Sequence, residues 1–293
     1  MLPVFLGIPL CFRREIDLLL EIAYNRRKVN RLKKIFLYRE MVASLVRRDL
    51  KGRYKGSVLG FLWTFINPLL QMLVYTLVFS VIMKSGVDHY YIFLFVALIP
   101  WIFCSSCVSG GSDCVLCSKD LVKKIYFPRE VLPISFVSAA FINMLLSYIV
   151  VFVVILISGF GIRWEILPYL LPVAVVEYFL ALGLCFLFSA LTVYFRDLFY
   201  FLGILTMLWQ FLTPVMFSQE RVVEALSSRS PILLRLWYMN PMTPVINCFR
   251  DVMYYKRVPD LTMLSSAVGF GIFFLVLGWF VFGRLQKGFA EVM

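Results

Sequence analysis

Two Cys-x-x-Cys pairs stand close together in CSSCVSGGSDCVLC, residues 104–117. Cysteines so paired can bind zinc or cycle between thiol and disulfide. A zinc ribbon, however, separates its pairs by roughly 15–20 residues on loops, and here six intervene. At about 100° per residue, Cys104, Cys107, Gly111, Cys114 and Ser118 fall on one helical face. A face of small residues lets membrane helices approach closely. The cysteines are read as packing, and no metal ligand is assigned. Cys11, Cys185 and Cys248 have no partner at a useful spacing, so no disulfide framework is implied. Other chemistry is sparse. His89 is the only histidine, and there is no phosphate-binding glycine loop and no paired-acid motif. A general acid–base site needs titratable groups held together, so no catalytic residue is assigned. Glu177 is the one acid in the otherwise uncharged run 166–195. A charged carboxylate at mid-bilayer costs about 2.5–3.5 kcal/mol, so Glu177 must be neutral, paired or facing water, as a structural or a functional acid.

The elements around these residues follow from composition. The chain of 293 residues is 61% hydrophobic and only 16% charged, against about 45–50% and ~25% for a soluble domain. Residues 56–83, 89–112, 131–162, 198–219 and 261–283 carry no Lys, Arg, Asp or Glu. With 166–195 they make six runs of the length a helix needs to cross the hydrocarbon core, about 20 residues. The expected fold is an all-α integral membrane protein with six transmembrane helices, at about 58–83, 90–116, 132–157, 167–195, 199–217 and 262–283. Residues 1–55 form a cytosolic N-terminal segment, 118–130 a cytosolic loop, 218–260 an external hairpin and 284–293 a cytosolic tail. The net charge of +12 would suggest nucleic acid in a soluble protein. Here 21 of the 29 Lys and Arg fall in the segments assigned to the cytosol. The positive-inside rule therefore puts both termini inside and turns the charge toward anionic lipid. Nucleic acid is not an expected partner.

At the N-terminus, Arg13 and Arg14 follow the apolar MLPVFLGIPLCF, the reverse of a secretory signal, and no role is assigned to it. Residues 14–53 place Ile16, Leu19, Leu20, Ala23, Ile35, Leu37, Met41 and Leu45 at helical spacing among Arg and Lys. An interfacial amphipathic helix is expected over 38–55. Gly56 and Gly60 permit a tight turn into the first span, and Pro68 favours a kink within it. Ala181, Cys185 and Ser189 make a second small face, at i, i+4 and i+8. Residues 218–260 are apolar but broken by Pro231, Pro241, Pro244 and Pro259, which fits a pair of short helices dipping into the outer leaflet.

The loop KDLVKKIYFPREVLP (119–133) closely resembles that of the membrane subunits of polysaccharide-exporting ABC transporters, the permeases for O-antigen, capsule and teichoic acid. RRDLKGRYKGSVLGFLWTFINPLL (47–70), LTVYFRDL (191–198) and NPMTPVINCFRD (240–251) resemble the same family, in order. The resemblance runs from about residue 38 to the C-terminus. It implies a bacterial inner-membrane permease that pairs with itself and with two copies of a separate ATP-hydrolysing subunit. ATP and Mg would be bound on that subunit, so this chain is expected to carry no cofactor and to be no enzyme itself. The implied substrate is a glycan on a lipid carrier. By similarity, Lys123, Lys124, Ile125, Tyr126, Phe127, Pro128, Arg129 and Glu130 form the element seated on the ATPase. Tyr126 and Phe127 would be its apolar knob, with Lys123, Lys124, Arg129 and Glu130 setting register. The hairpin would form external gate helices, with Trp237, Tyr238, Asn240, Pro241, Pro244 and Arg250 as gate residues. Arg47, Arg48, Arg53 and Lys55, beside Gly56 and Gly60, lie where a diphosphate headgroup would enter, or where ordinary lipid headgroups are held. The Cys-rich face and the first thirty residues depart from the family pattern. An exporter of drugs or simple lipids, and a membrane-embedded glycan-modifying enzyme, are the alternatives.

Overall fold

The computed structural model describes residues 35–54, 56, 59–82, 86–227 and 231–292, and among them there is no strand. Of the helical pattern expected over 14–53, residues 14–34 lie outside the described set, as do Lys55 and the side chain of Arg53. Helix α1 (Arg39–Tyr54) precedes α2 (Trp63–Thr76), and between them Gly56 and Gly60 have φ angles of 84° and 46°. That left-handed backbone is what the glycines were expected to supply. A π-helical turn, Leu77–Ile82, extends α2.

Helix α3 (Tyr90–Ser109) is apolar on every side, and fifteen of its residues are buried. A helix apolar all round belongs in a core, and α3 is wedged among its neighbours. A six-residue helix, α4 (Lys119–Lys124), follows, and then α5 (Val131–Ile157). On α5, Ile142, Leu145, Ile149, Val153 and Leu156 are exposed, at spacings of three and four. That stripe faces away from the core. Helices α6 (Leu170–Tyr194) and α7 (Leu198–Leu212) precede three short ones. These are α8 (Gln219–Ser227), α9 (Pro231–Tyr238) and α10 (Met242–Met253). The long α11 (Leu261–Leu285) and a final turn, α12 (Phe289–Val292), end the chain.

The α6–α11 crossing is set by two glycines facing one another. A Cβ on Gly278 would overlap the carbonyl of Gly183, and one on Gly183 would overlap the backbone of Phe274 and Leu275. Backbones this close leave no room for any side chain, the arrangement that small residues serve in membranes. Ala181, Cys185 and Ser189, the small face expected on this helix, are buried on α6.

Among the described residues, five helical segments are long and apolar enough to cross a membrane: Gly60–Ile82, Tyr90–Asp113, Val131–Ile157, Leu167–Tyr194 and Leu261–Gly288. The expected span at 199–217 is not among them. Helix α7 has 15 residues, about 22 Å at 1.5 Å each, against a hydrocarbon core of about 30 Å. The break has a local cause. Pro214 disfavours helix at the residue before it, and Thr213 is extended, with φ −109° and ψ 141°.

Candidate functional site

Two clusters at opposite ends of α3 hold the residues singled out above. The first follows its C-terminal end. In α4, Val122 is buried, while Lys123 and Lys124 are exposed. Ile125 leaves the helix in an extended conformation. Ile125 and Tyr126 then project, 54% and 93% exposed, whereas Phe127 is only 6% exposed and belongs to the core. The projecting apolar pair is therefore Ile125–Tyr126, whereas the expected pair Tyr126–Phe127 is split, because Phe127, like Val122, is buried. The correction has a physical cause. Phe127 begins the return toward α5, so its ring faces the bundle.

Arg129 and Glu130 also face inward. Arg129 donates to the carbonyl of Gln286, and its guanidinium carbon lies 5.7 Å from the centroid of the Phe289 ring. Glu130 is 5% exposed and accepts from Gln286 Nε2 at 2.7 Å. Lys123 and Lys124 are left to flank the knob. Gln286 and Phe289 carry no motif that would have singled them out in the sequence.

The second cluster surrounds the break after α7. Asn240 Nδ2 donates to the Leu212 carbonyl at 3.0 Å and to Thr213 Oγ1 at 2.9 Å. Its Oδ1 accepts from Trp209 Nε1 at 2.9 Å and from the Met242 N–H at 3.1 Å. One amide thus ties the end of α7 to the start of α10, where Pro241 sits at the N-cap. Arg250 is 1% exposed. Its Nη2 donates to the Val215 carbonyl at 2.7 Å, Nη1 to the Phe217 carbonyl at 3.2 Å and Nε to the Phe93 carbonyl at 3.5 Å. Burial pulls this guanidinium down to about 9, so it keeps its charge at neutral pH. Its neighbour Asp251 pairs instead with Arg257, at 2.7 Å. Pro244 and Trp237 are buried, and Tyr238 is 45% exposed.

The remaining candidates are dispersed. Arg47 and Arg48 are exposed on α1, and Arg48 pairs with Asp49 at 3.1 Å. Glu177 is fully buried on α6, and neither carboxylate oxygen has a hydrogen-bond partner among the described residues. The cysteine stretch is not one continuous helix. Helix α3 ends at Ser109, and short 3-10 turns follow at Gly111–Asp113 and Leu116–Ser118. Cys104 and Cys107 are buried, Cys114 is half-buried and Cys117 is exposed. Gly111 is where close approach is needed, since a Cβ there would lie 2.7 Å from Cys185 Sγ.

The chain's relatives agree with this architecture. Residues 40–254 match the ABC-2 type transporter family. An O-antigen export system permease protein, RfbA, of Myxococcus xanthus is 36% identical over 261 residues, covering 89% of this chain and 98% of the relative. A protein of the same name from Klebsiella pneumoniae is 28% identical over 259 residues, covering 87% and 95%. Together with the five apolar helices, these matches make the chain a multi-pass protein of the bacterial inner membrane. It belongs to the ABC-2 type transporter family.

Proposed function

We propose that this chain is the permease subunit of an ATP-driven exporter that moves a lipid-linked polysaccharide from the cytosolic leaflet across the inner membrane. It works as a homodimer with two separate ATP-binding cassette subunits, which bind ATP and Mg. The observation that carries this reading is the segment Lys123–Tyr126. An apolar pair flanked by two lysines projects from a buried base of Val122 and Phe127. That is the form of a docking element, with an apolar anchor for a pocket and charge to fix register.

In this reading α7 is the fifth of six crossings. Its 15 helical residues are completed by the non-helical stretch 213–218. Irregular backbone at membrane depth is tolerated where protein satisfies it, and Asn240 and Arg250 supply that satisfaction at Leu212, Val215 and Phe217. An even number of crossings returns the C-terminus to the side of α1 and agrees with the positive-inside bias. The second copy covers α2 and α7, whose Leu70, Leu73, Val74, Ile204, Met207 and Phe211 are exposed.

The test is purification of the tagged chain co-expressed with its ATP-binding cassette subunit, followed by mass spectrometry of the bound lipid. Stoichiometric ATPase and a lipid-linked glycan are expected. Formation of a modified glycan by the chain alone, without ATPase, would instead make it an enzyme.

A further inference from the structure

We propose that the last residues, Gln286–Val292, form a clip that locks the coupling segment to the ends of α6 and α11, with Gln286 and Phe289 as positioning residues for coupling. The proposal rests on the reading of Lys123–Tyr126 given above. Three independent contacts converge on this turn. Gln286 holds Arg129 through its carbonyl and Glu130 through its side chain. Tyr194, at the end of α6, donates to the Leu285 carbonyl at 2.9 Å, and a Cβ on Gly288 would overlap its hydroxyl. Phe289 is fully buried, with its ring 5.6 Å from Phe282 of α11 and 6.2 Å from Tyr194.

The consequence is mechanical. Residues 123–126 alone are a short protrusion on a six-residue helix, which could yield when pushed. Through Arg129 and Glu130 the protrusion is tied to the base of the most closely crossed helix pair. A displacement imposed at Tyr126 is then delivered to α6 and α11 and is not absorbed in the loop.

The pair Glu130–Gln286 allows a test by exchange. Gln286→Glu sets two carboxylates against each other, and adding Glu130→Gln restores a carboxylate–amide pair with its polarity reversed. In inverted membrane vesicles holding the full chain without ATPase, trypsin cleavage after Lys123 and Lys124 reports how firmly the segment is held. Gln286→Glu is expected to speed this cleavage at least about fivefold, and the double variant to return it to within about twofold of wild type. Gln286→Ala, which adds no charge, gives the same direction at smaller amplitude should Gln286→Glu lower membrane abundance. In cells co-expressing the ATPase, surface glycan per chain is expected to fall and recover in the same order. Unchanged cleavage in both single variants overturns the clip. Faster cleavage with undiminished glycan overturns its role in coupling. Failure of the wild-type chain to retain ATPase would count against the functional reading, while the cleavage assay still decides the clip.

Discussion

The guanidinium carbon of Arg250 lies 3.7 Å from the centroid of the Phe93 ring. A cation over an aromatic face gains about 2 kcal/mol when desolvated, and the same group serves two backbone carbonyls in the non-helical stretch that follows the α7 break. It joins the central helix α3, the hairpin helix α10 and the interrupted stretch after α7 in one fork.

Arg250→Met should therefore strand buried carbonyls at Val215 and Phe217, at a cost of about 2–5 kcal/mol. Arg250→Lys keeps the charge but lacks the fork, and should fall between. Thermal unfolding in detergent and membrane abundance are the measurements. Arg250→Met at wild-type Tm would show that the fork carries no stability.

The α6–α11 crossing gives a second expectation. Gly278→Ala or Gly183→Ala forces the backbones apart, with a loss of about 1–3 kcal/mol and a lower Tm. Gly269→Ala on α11 is the control, because nothing lies within 4 Å of its Cβ position and alanine is the better helix former. Equal Tm for all three would contradict the close crossing.

These two cases mark what is legible in the sequence. Lipid forbids unpaired charge and open backbone, so long uncharged runs reveal spanning helices without any knowledge of packing. The positive-φ turn at Gly56 and Gly60 is equally local. The break at Thr213–Pro214 was present in the sequence as a local signal and was obscured by the uncharged run around it. The inward turn of Arg129 and Glu130 has no such signal, because their partners Gln286 and Phe289 lie more than 150 residues downstream. The Gly183–Gly278 pairing likewise exists only between two helices, and neither helix marks it alone.

Cys117 is exposed, yet partial burial and a hydrogen bond to Asp113 push its thiol up to about 11. The nucleophile is the thiolate, so maleimide labelling of Cys117 should be slow at neutral pH and rise about tenfold per pH unit toward that value. Asp113→Ala should speed it at pH 8. In a Cys11→Ser background, Cys104, Cys107, Cys185 and Cys248 should label only after denaturation, being buried. Fast labelling of Cys117 at pH 7 would refute the assignment.

Glu177 has the burial of a core residue and no hydrogen-bond partner among the described residues. Removing an unsatisfied buried polar group is neutral or stabilising when the shape is kept. Glu177→Leu should therefore match or exceed the wild-type Tm, and Glu177→Gln should export normally. Loss of export by both variants at normal abundance and Tm would assign the acid a functional role.

The coupling segment separates anchor from knob. Phe127→Ala removes a core ring, and losses of about 3–5 kcal/mol accompany such truncations, so the chain itself should lose membrane abundance. Ile125→Ala with Tyr126→Ala alters only exposed side chains, so abundance and Tm should stay at wild type. If those side chains seat in a pocket of the ATPase, their loss removes the centre of an interface, where single truncations cost about 2 kcal/mol or more. ATPase recovery on the tagged chain should then fall at least about thirtyfold, with surface glycan falling alongside it. Lys123→Glu with Lys124→Glu should act differently, slowing association and reversing the sign of its salt dependence, because rim charges steer encounter more than they hold the complex. Full ATPase recovery and normal glycan in the Ile125/Tyr126 variant would remove this segment as the coupling element. The proposed exporter would then lose its main structural support.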